Sequence, residues 1–213
     1  MPTKAAAQRR RPTQDRAKAT REHILDTAAR LFGERGIAGT STNRIAAEAG
    51  VSIGTVYRYF ADRSVLVEEL LSRLLASVEQ RFTQRMFDLS GKDAPDVWVD
   101  ILTVITDELV QNAALVRALV AGVQFYSSGI PEFEPRLRLL VKVLIIQLLG
   151  PGDDHRYDVM TFVLINTGFA AALRTSALEV DGPARHEAIE MTGRMIGAFL
   201  ESEGAAPARS AQK

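Results

Sequence analysis

The sequence predicts an all-α protein of about nine helices, with a small three-helix domain near the N-terminus and a larger helical domain after it. Apolar residues recur at helical spacing through most of the chain, Gly and Pro interrupt them at intervals, and no stretch alternates as a strand would. The same pattern divides the chain into a disordered basic arm at 1–19, the small domain at 20–65, the larger domain at 66–204 and a disordered tail at 205–213.

Composition excludes several classes of protein. The chain has 213 residues, of which 46% are apolar, so it can bury a substantial core. It contains no cysteine, which rules out disulfides and thiolate metal sites. The basic N-terminus is not followed by the apolar run of a signal peptide, and the most apolar stretch, 137–149, is too short to span a bilayer. We therefore expect a soluble cytoplasmic protein without a membrane partner or a cofactor.

The net charge of zero conceals a difference between the two ends of the chain. Residues 1–63 hold 12 Lys/Arg and 6 Asp/Glu, whereas residues 64–213 hold 14 and 20. A basic end beside an acidic remainder is expected when only that end meets a polyanion. Chance segregation is the alternative. The arm at 1–19 is equally open to two interpretations, a solvated tail or an arm that contacts the DNA backbone or minor groove.

A helix from Thr20 to about Arg35 and a helix-turn-helix at 41–60 make up the small domain. Ser41 and Ser52 can each cap a short helix with a hydroxyl, and Gly50 can take the left-handed conformation that ends the first one. The side chains expected in the buried seam are Ile45, Ala46, Ala49, Val51, Val56 and Phe60. Those left for the outside are of types suited to phosphates and base edges: Thr42, Asn43, Arg44, Ile53, Thr55, Tyr57, Arg58 and Tyr59.

A long helix is predicted from the cap at Asp62 to about Phe87, because an apolar stripe continues from Leu66 to Phe82. About 25 residues at 1.5 Å each give a rod of about 38 Å, too long for a three-helix domain alone. We expect this rod to couple the two parts of the protein mechanically. Further helices are predicted near 95–111, 113–126, 134–149, 153–179 and 184–202, separated by Gly and Pro.

The last two helices differ from the others because small residues interrupt their apolar surfaces. Small residues let helices approach closely, so two chains could build a four-helix bundle about a two-fold axis. The residues assigned to that dimer interface are Phe162, Gly168, Ala172, Ile189, Gly193, Ile196, Gly197 and Leu200. A core within one chain is the alternative for the same residues.

The small domain and the start of the rod, residues 20–75, resemble the TetR family of bacterial transcriptional repressors. The resemblance rests on Ile24-Leu-Asp-Thr-Ala-Ala-Arg-Leu-Phe32 with Gly36, Thr40-Ser-Thr-Asn-Arg-Ile-Ala46, Ala49-Gly-Val-Ser52, Thr55-Val-Tyr-Arg-Tyr-Phe60, Arg63 and Leu66. Two positions depart from the family pattern: Tyr59 stands where His is commonest, and Arg63 where Lys is commonest. The rest of the chain resembles the family only in the number and order of its helices.

The resemblance implies a homodimeric, sequence-specific regulator, a repressor by family, that binds a palindromic DNA operator. Thr42, Tyr57 and Arg63 are then similar to phosphate contacts, and Gly54 permits close approach. The groove contacts implied are Asn43, Arg44, Ile53, Thr55 and Arg58, while Ser41 and Ser52 complete the predicted DNA-binding set. Arg58 suits either a guanine or a phosphate. Tyr59 belongs to the set too, although packing beside Phe60 is the favoured interpretation.

The resemblance also implies a small-molecule effector, apolar in view of the helices available, whose binding in the C-terminal domain releases the operator. The residues assigned to that site are Trp98, Gln124, Phe125, Tyr126, Phe162, Asn166 and Phe169. Aromatic residues at helical spacing are also typical of plain core, which stays open for each of them. The polar Asn166 lies in an apolar segment, where it needs a partner: a ligand, a backbone carbonyl or the other subunit.

Two other classes of function were weighed. Asp153, Asp154, His155 and Asp158 could hold a metal, but acids near a helix start more simply complement the helix dipole, so no metal site is predicted. No nucleophile motif or phosphate-binding glycine loop is present, so we expect no enzyme. The alternative function is a helical ligand-binding module without operator binding.

Overall fold

The computed structural model describes the backbone of residues 4–86, 91–122, 130–177 and 181–210, and the side chains of residues 14–86, 91–121, 135–177 and 181–204. Within these ranges the chain forms nine α-helices and no strand, which confirms the predicted class. The helices are α1 (Lys4–Arg35), α2 (Thr42–Glu48), α3 (Ile53–Tyr59), α4 (Arg63–Met86), α5 (Ala94–Gln111), α6 (Ala113–Gly122), α7 (Ile130–Leu149), α8 (Asp154–Ala177) and α9 (Gly182–Ser210).

The N-terminal helices share one core with the start of α4. Ile24, Phe32, Ile45, Phe60 and Leu66 have no exposed surface and contact one another's helices in that core. The predicted apolar stripes of α1 and α4 face each other there, because each carries its apolar residues on one side. The small helices α2 and α3 therefore have a fixed position on a support formed by two long helices.

The C-terminal body is built around α5, which contacts α4, α8 and α9. Val97, Ile101 and Leu102 of α5 are buried among these neighbours. The body touches the N-terminal helices through α4 and also through α6, which packs on α1. That second contact is close, because a Cβ added at Gly33 would lie 2.9 Å from the Cβ of Ala114. Two helices thus connect the body to the helix-turn-helix.

Both ends of the chain differ from the prediction. Helix α1 begins at Lys4 rather than at Thr20, and α9 continues to Ser210, where a disordered arm and tail were predicted. Residues 4–19 are rich in Ala, Arg, Lys and Gln, which favour helix, and an existing helix grows by one hydrogen bond per residue without a new nucleus. Pro12 and Pro135 were expected to limit helices but lie inside α1 and α7.

Helix α8 is the one described helix that is long and apolar enough, by length and composition, to cross a membrane. A core helix of a globular protein passes the same test. In α8 the apolar residues are divided between two sides: Met160, Leu164 and Ala172 are buried, while Phe162 and Val163 are exposed. The helix is therefore apolar because both of its sides are, and the exposed side has no cover within the described part of the chain.

Candidate nucleic-acid interface and ligand pocket

Local hydrogen bonds hold α2 and α3 as a helix-turn-helix. The hydroxyl of Ser41 accepts a hydrogen bond from the backbone N of Arg44 at 3.3 Å, and that of Ser52 accepts one from the backbone N of Thr55 at 3.1 Å. Gly50 has φ of 64° between the two helices, the left-handed conformation that glycine adopts at least cost. The predicted caps and turn are confirmed.

The seam between α2 and α3 is also buried as predicted. Ile45, Val56 and Phe60 have no exposed surface, and Val51 is half-buried. The seven residues of α3 form a rod of roughly 10 Å, short enough to lie within a major groove about 12 Å wide. The remaining side of α3 is then free of packing duties and open to the outside.

The structure brings most of the predicted DNA-binding residues to this outer surface. Exposed members are Ser41, Asn43, Arg44, Ser52, Gly54, Tyr57, Arg58 and Arg63, and half-buried members are Thr42, Ile53, Thr55 and Tyr59. The Thr42 Oγ1 and Tyr57 hydroxyl atoms lie 3.3 Å apart, so the two side chains likened to phosphate contacts converge from different helices. Contact with DNA stays a prediction for every residue of the set.

Two members of the set have structural roles as well. The Nη1 of Arg63 donates to the backbone carbonyls of Ile37 at 3.0 Å and Thr40 at 3.1 Å, which fixes the connection between α1 and α2. A phosphate contact would use the other guanidinium nitrogens. Tyr59 is half-buried, and its ring lies 6.5 Å from that of Phe60 at an angle of 55°. This geometry supports packing for Tyr59.

Two residues of α1 that sequence reasoning missed position α2. The Arg30 guanidinium donates to Glu48 at 2.8 Å, and the Nε2 of His23 lies 3.2 Å from the carbonyl oxygen of Ala49. Glu48 is the single acid of α2, so its pairing with Arg30 offsets a negative charge next to the exposed surface. Neither contact has a sequence signal, because the partners are 18 and 26 residues apart.

The C-terminal body contains an apolar cavity of about 420 Å³ between α4, α5, α7 and α8. Its lining residues are Val78, Phe82, Trp98, Ile101, Leu102, Ile105, Leu137, Val141, Ile165, Gly168 and Phe169. Trp98 and Phe169 were assigned to an effector site, and the structure brings them together here. Gln124, Phe125 and Tyr126 lie outside the described residues.

The assignment of Phe162 and Asn166 to the effector site is wrong, because both lie on the exposed side of α8. Phe162 is 51% exposed, and the guanidinium of Arg138 lies 5.6 Å from its ring centroid. The side-chain amide of Asn166 donates to the carbonyl oxygen of Phe162 at 2.7 Å. Its partner is therefore a backbone carbonyl of its own helix.

Helix α4 joins the cavity to the helix-turn-helix. Its first turns are buried beside α1 through Leu66 and Leu70, and its later turns reach the cavity through Val78 and Phe82. Sequence analysis placed all four on one stripe but did not assign the last two to a pocket. A single stiff element thus forms part of the support for α3 and part of the cavity wall.

A polar cluster fastens α4 to α5 between these two regions. The hydroxyl of Ser77 donates to Glu108 at 2.7 Å, and the guanidinium of Arg81 pairs with the same carboxylate. Glu108 is only 7% exposed, so its charge depends on these partners. Any shift of α4 along α5 has to change this cluster.

The dimer assignment is wrong for seven of its eight residues, which are buried within the chain: Gly168, Ala172, Ile189, Gly193, Ile196, Gly197 and Leu200. The glycines seat α9 against α5, since a Cβ at Gly193 would lie 2.6 Å from the backbone N of Val99. Small residues permit close packing, but the sequence does not say whether the partner helix belongs to the same chain. The core within one chain is the interpretation that holds.

Large apolar side chains are instead exposed on the outer sides of α7, α8 and α9. They are Leu139, Val143, Ile146, Val159, Phe162, Val163, Met191, Met195 and Phe199, and we call this set the outer apolar face. Phe162 is the one residue of the predicted interface that belongs to it. Its members on α8 and α9 recur at helical spacing, as expected for a stripe that packs on another surface.

The acidic cluster at the start of α8 is occupied by contacts within the chain. Asp153 accepts a hydrogen bond from the backbone N of Arg156 at 2.7 Å, which confirms the capping interpretation. Lys142 pairs with Asp154 at 2.8 Å and with Asp158 at 2.6 Å. These hydrogen bonds, that of Asp154 first, raise the pKa of Lys142. No group of ligands suited to a metal ion occurs among the described residues.

Comparison with known proteins points to one family. Residues 24–70 match the model of "Bacterial regulatory proteins, tetR family". An HTH-type transcriptional regulator of Staphylococcus aureus (strain USA300) is 34% identical over 120 residues, which cover 53% of this chain and 62% of that protein, less than two thirds of its length. The HTH-type transcriptional regulator AcrR of Shigella flexneri is 47% identical over 60 residues, 28% of each chain.

Solved structures share the fold over most of the chain. A tetR-family transcriptional regulator from Streptomyces coelicolor matches with a TM-score of 0.68 at 22% identity, covering 89% of this chain and 83% of its own. Thermus thermophilus FadR, a TetR-family transcriptional repressor solved with lauroyl-CoA, matches with a TM-score of 0.58 at 23% identity, covering 83% and 92%. With its helix-turn-helix at residues 24–70, this chain belongs to the tetR family of bacterial regulatory proteins.

Proposed function

We propose that this chain is a homodimeric, sequence-specific DNA-binding regulator of transcription that represses from a palindromic operator and is released by a small apolar effector. The observation that carries the proposal is the double position of α4, which supports the helix-turn-helix at one end and lines an apolar cavity at the other. Membership of the tetR family supports DNA binding and repression.

The exposed side of the helix-turn-helix supports DNA binding through its chemistry. Arg44 and Arg58 are exposed cations on α2 and α3, and Asn43 offers both a donor and an acceptor. Arginine suits guanine or phosphate, and asparagine suits adenine, so these side chains can read base edges in the major groove. Thr42 and Tyr57, whose hydroxyl oxygens converge, are placed to contact one phosphate.

A second copy of this chain is the proposed cover of the outer apolar face. One α3 of seven residues reads only a short half-site, so affinity and specificity gain from two readers. A two-fold dimer sets its two recognition helices about one DNA turn, or about 34–36 Å, apart on a palindrome. The outer apolar face extends over three helices of the body, and a large exposed apolar surface on a folded protein is typical of an interface.

The proposed switch is a shift of α4 when the cavity fills. Effector binding favours whichever state accommodates it better, and a hundredfold preference supplies about 2.7 kcal/mol of bias. Val78 and Phe82 bring the effector's contacts to α4, and the Ser77–Glu108–Arg81 cluster is the contact that must rearrange. The complex of FadR with lauroyl-CoA supports an effector with an apolar part in a protein of this fold.

Selection of bound fragments from random DNA tests the reader first, and the recovered motif should be a palindrome. Arg58→Ala should then lose at least about 1 kcal/mol of operator binding without unfolding the protein. Arg117→Ala is the matched control, since Arg117 is exposed on α6, away from α2 and α3, and should leave affinity unchanged.

Unchanged operator affinity in a folded Arg58→Ala variant would remove Arg58 from the reader. If wild-type protein retains no DNA selectively at any salt concentration, the proposal fails in favour of a helical ligand-binding module. In that case the cavity would still bind small molecules, which a thermal-shift screen of apolar compounds would detect.

A further inference from the structure

We propose that the cavity selects an uncharged, mainly hydrocarbon ligand that carries a hydrogen-bond acceptor, and that Trp98 reads this acceptor through its indole N–H. This inference rests on the proposed effector role of the cavity and specifies the chemical class of the effector. Trp98 is 2% exposed, and its Nε1 is buried with no hydrogen-bond partner among the described residues.

The lining explains why the acceptor has to come from a ligand. All eleven lining residues are apolar or aromatic apart from Gly168, and the indole N–H is the one side-chain group among them that can form a strong hydrogen bond. Buried polar groups are paired in the great majority of cases, so an unpaired donor in a cavity wall requires an explanation. A water molecule fits poorly, because a buried water needs two to four polar partners, and these lining side chains supply one.

The same lining excludes ionised ligands. No charged side chain lines the cavity, and a charge buried without a partner is strongly unfavourable. A volume of about 420 Å³ is within the range of about 300–1,000 Å³ found for small-molecule pockets. Phe82 and Phe169 offer ring faces or edges, and the aliphatic residues accept either an alkyl chain or a ring. A neutral ketone, ester or ether with a hydrocarbon frame therefore satisfies both the walls and the donor.

Three probes of equal heavy-atom number separate these features: 4-phenylbutan-2-one, which has a carbonyl; isopentylbenzene, in which a methyl group replaces the oxygen; and 3-phenylpropanoate, which is ionised. Calorimetric titration of the full chain should rank the ketone about fivefold or more above the hydrocarbon, the ratio that one net hydrogen bond supplies, with the carboxylate weakest. Equal affinity for ketone and hydrocarbon, or tightest binding of the carboxylate, would overturn the proposal.

The chain contains a single tryptophan, so its indole N–H gives one resonance in a ¹⁵N spectrum of the unmutated protein. The ketone should move that resonance downfield, whereas the hydrocarbon should not, and the absence of this difference would refute a hydrogen bond at Trp98. Trp98→Phe should reduce the ketone-to-hydrocarbon ratio to about one. Tyr157→Phe is the control, because it removes an aromatic donor that bonds Gly150 outside the cavity and should keep the ratio.

Operator binding measured in the same samples separates this inference from the proposed function. If the ketone shows the expected preference but leaves operator affinity unchanged, the ligand class stands and the release mechanism fails. If a charged compound bound in the cavity releases the operator, the effector role stands and the inferred ligand class is wrong.

Discussion

Gly50 and Gly54 lie four residues apart and have different roles in the helix-turn-helix. Gly50 has φ of 64°, a conformation that costs other residues about 1–2 kcal/mol, so the turn itself requires glycine. Gly54 lies inside α3 with open space around it, since a Cβ there would come no closer than 3.8 Å to Ser52 Oγ. Its proposed role is to let the DNA backbone approach α3.

Alanine at these two positions should therefore have opposite effects. Gly50→Ala should lower the free energy of unfolding by about 1 kcal/mol through backbone strain. Gly54→Ala should raise it by up to about 1 kcal/mol, because alanine favours helix, yet weaken operator binding through its added methyl group. Urea denaturation and fluorescence anisotropy on labelled operator measure the two quantities. If Gly54→Ala binds DNA as tightly as wild type, close approach at this position is disproved.

The cap of α4 gives a prediction about pH. Asp62 accepts hydrogen bonds from the Ser64 hydroxyl and from the backbone N atoms of Val65 and Ser64, and these bonds, that of the hydroxyl first, lower the pKa of Asp62 below its ordinary value of 3.8. Because the folded-state pKa is the lower one, the stabilisation is complete above that ordinary value and is lost as pH falls through the folded-state pKa. Denaturation at pH values from 7 to about 3 should show the advantage of wild type over Asp62→Ala shrinking at the acidic end. A constant difference would contradict the role of the ionised carboxylate.

At the scale of elements, the molecule depends on close helix contacts that small residues permit. Gly193 and Gly197 bring α9 against α5, and Gly33 admits Ala114 where α6 packs on α1. The glycines of α9 were predicted to face a second chain, but the partner of α9 at these positions is α5. The same residue pattern fits either partner, because helix packing responds to the shape of the neighbouring surface and not to chain identity.

Gly193→Ala tests this assignment. The added Cβ would lie 2.6 Å from the backbone N of Val99, so α9 has to move, and we expect a loss of about 1–3 kcal/mol in the free energy of unfolding. Gly182→Ala is the matched control on the same helix, because nothing lies within 4 Å of its added Cβ. Thermal or urea denaturation measures the loss. Wild-type stability together with a lost dimer would restore the interface interpretation for Gly193.

At the scale of the whole molecule, the outer apolar face and the basic reading surface have to work together. Two copies joined through α8 and α9 would hold their recognition helices at one separation, so the interface decides which operator spacing fits. The charge difference between the two parts of the chain agrees with this division, because the basic part is the one proposed to meet DNA.

Met195→Asp tests the interface. Met195 is 58% exposed in one chain, so the substitution should leave the fold intact while a buried charge at a two-fold contact disfavours the dimer. We expect sedimentation to report monomers at concentrations where wild type dimerises, with weaker operator binding as a consequence. Val120→Asp, a substitution at an exposed apolar residue of α6 outside the outer apolar face, should stay dimeric. A dimeric Met195→Asp protein would place the interface elsewhere.

The local features of this protein were determined by the sequence alone. The caps at Ser41 and Ser52, the turn at Gly50 and the start of α4 after Asp62 depend on residues a few positions apart, so spacing and residue type were enough to predict them. Helical periodicity likewise determined the class and the order of the helices, since one apolar stripe per helix is a property of the local chain.

Tertiary structure decided what each apolar stripe faces. It buried the small residues of α9 against α5, turned Phe162 and Asn166 outward, and brought Val78 of α4 beside Trp98 in one cavity. It also paired Arg30 with Glu48 and linked Arg63 to the carbonyls between α1 and α2. The physical reason is common to these cases: a helical pattern specifies which side of a helix is apolar, whereas the partner of that side depends on the packing of segments far apart in the chain.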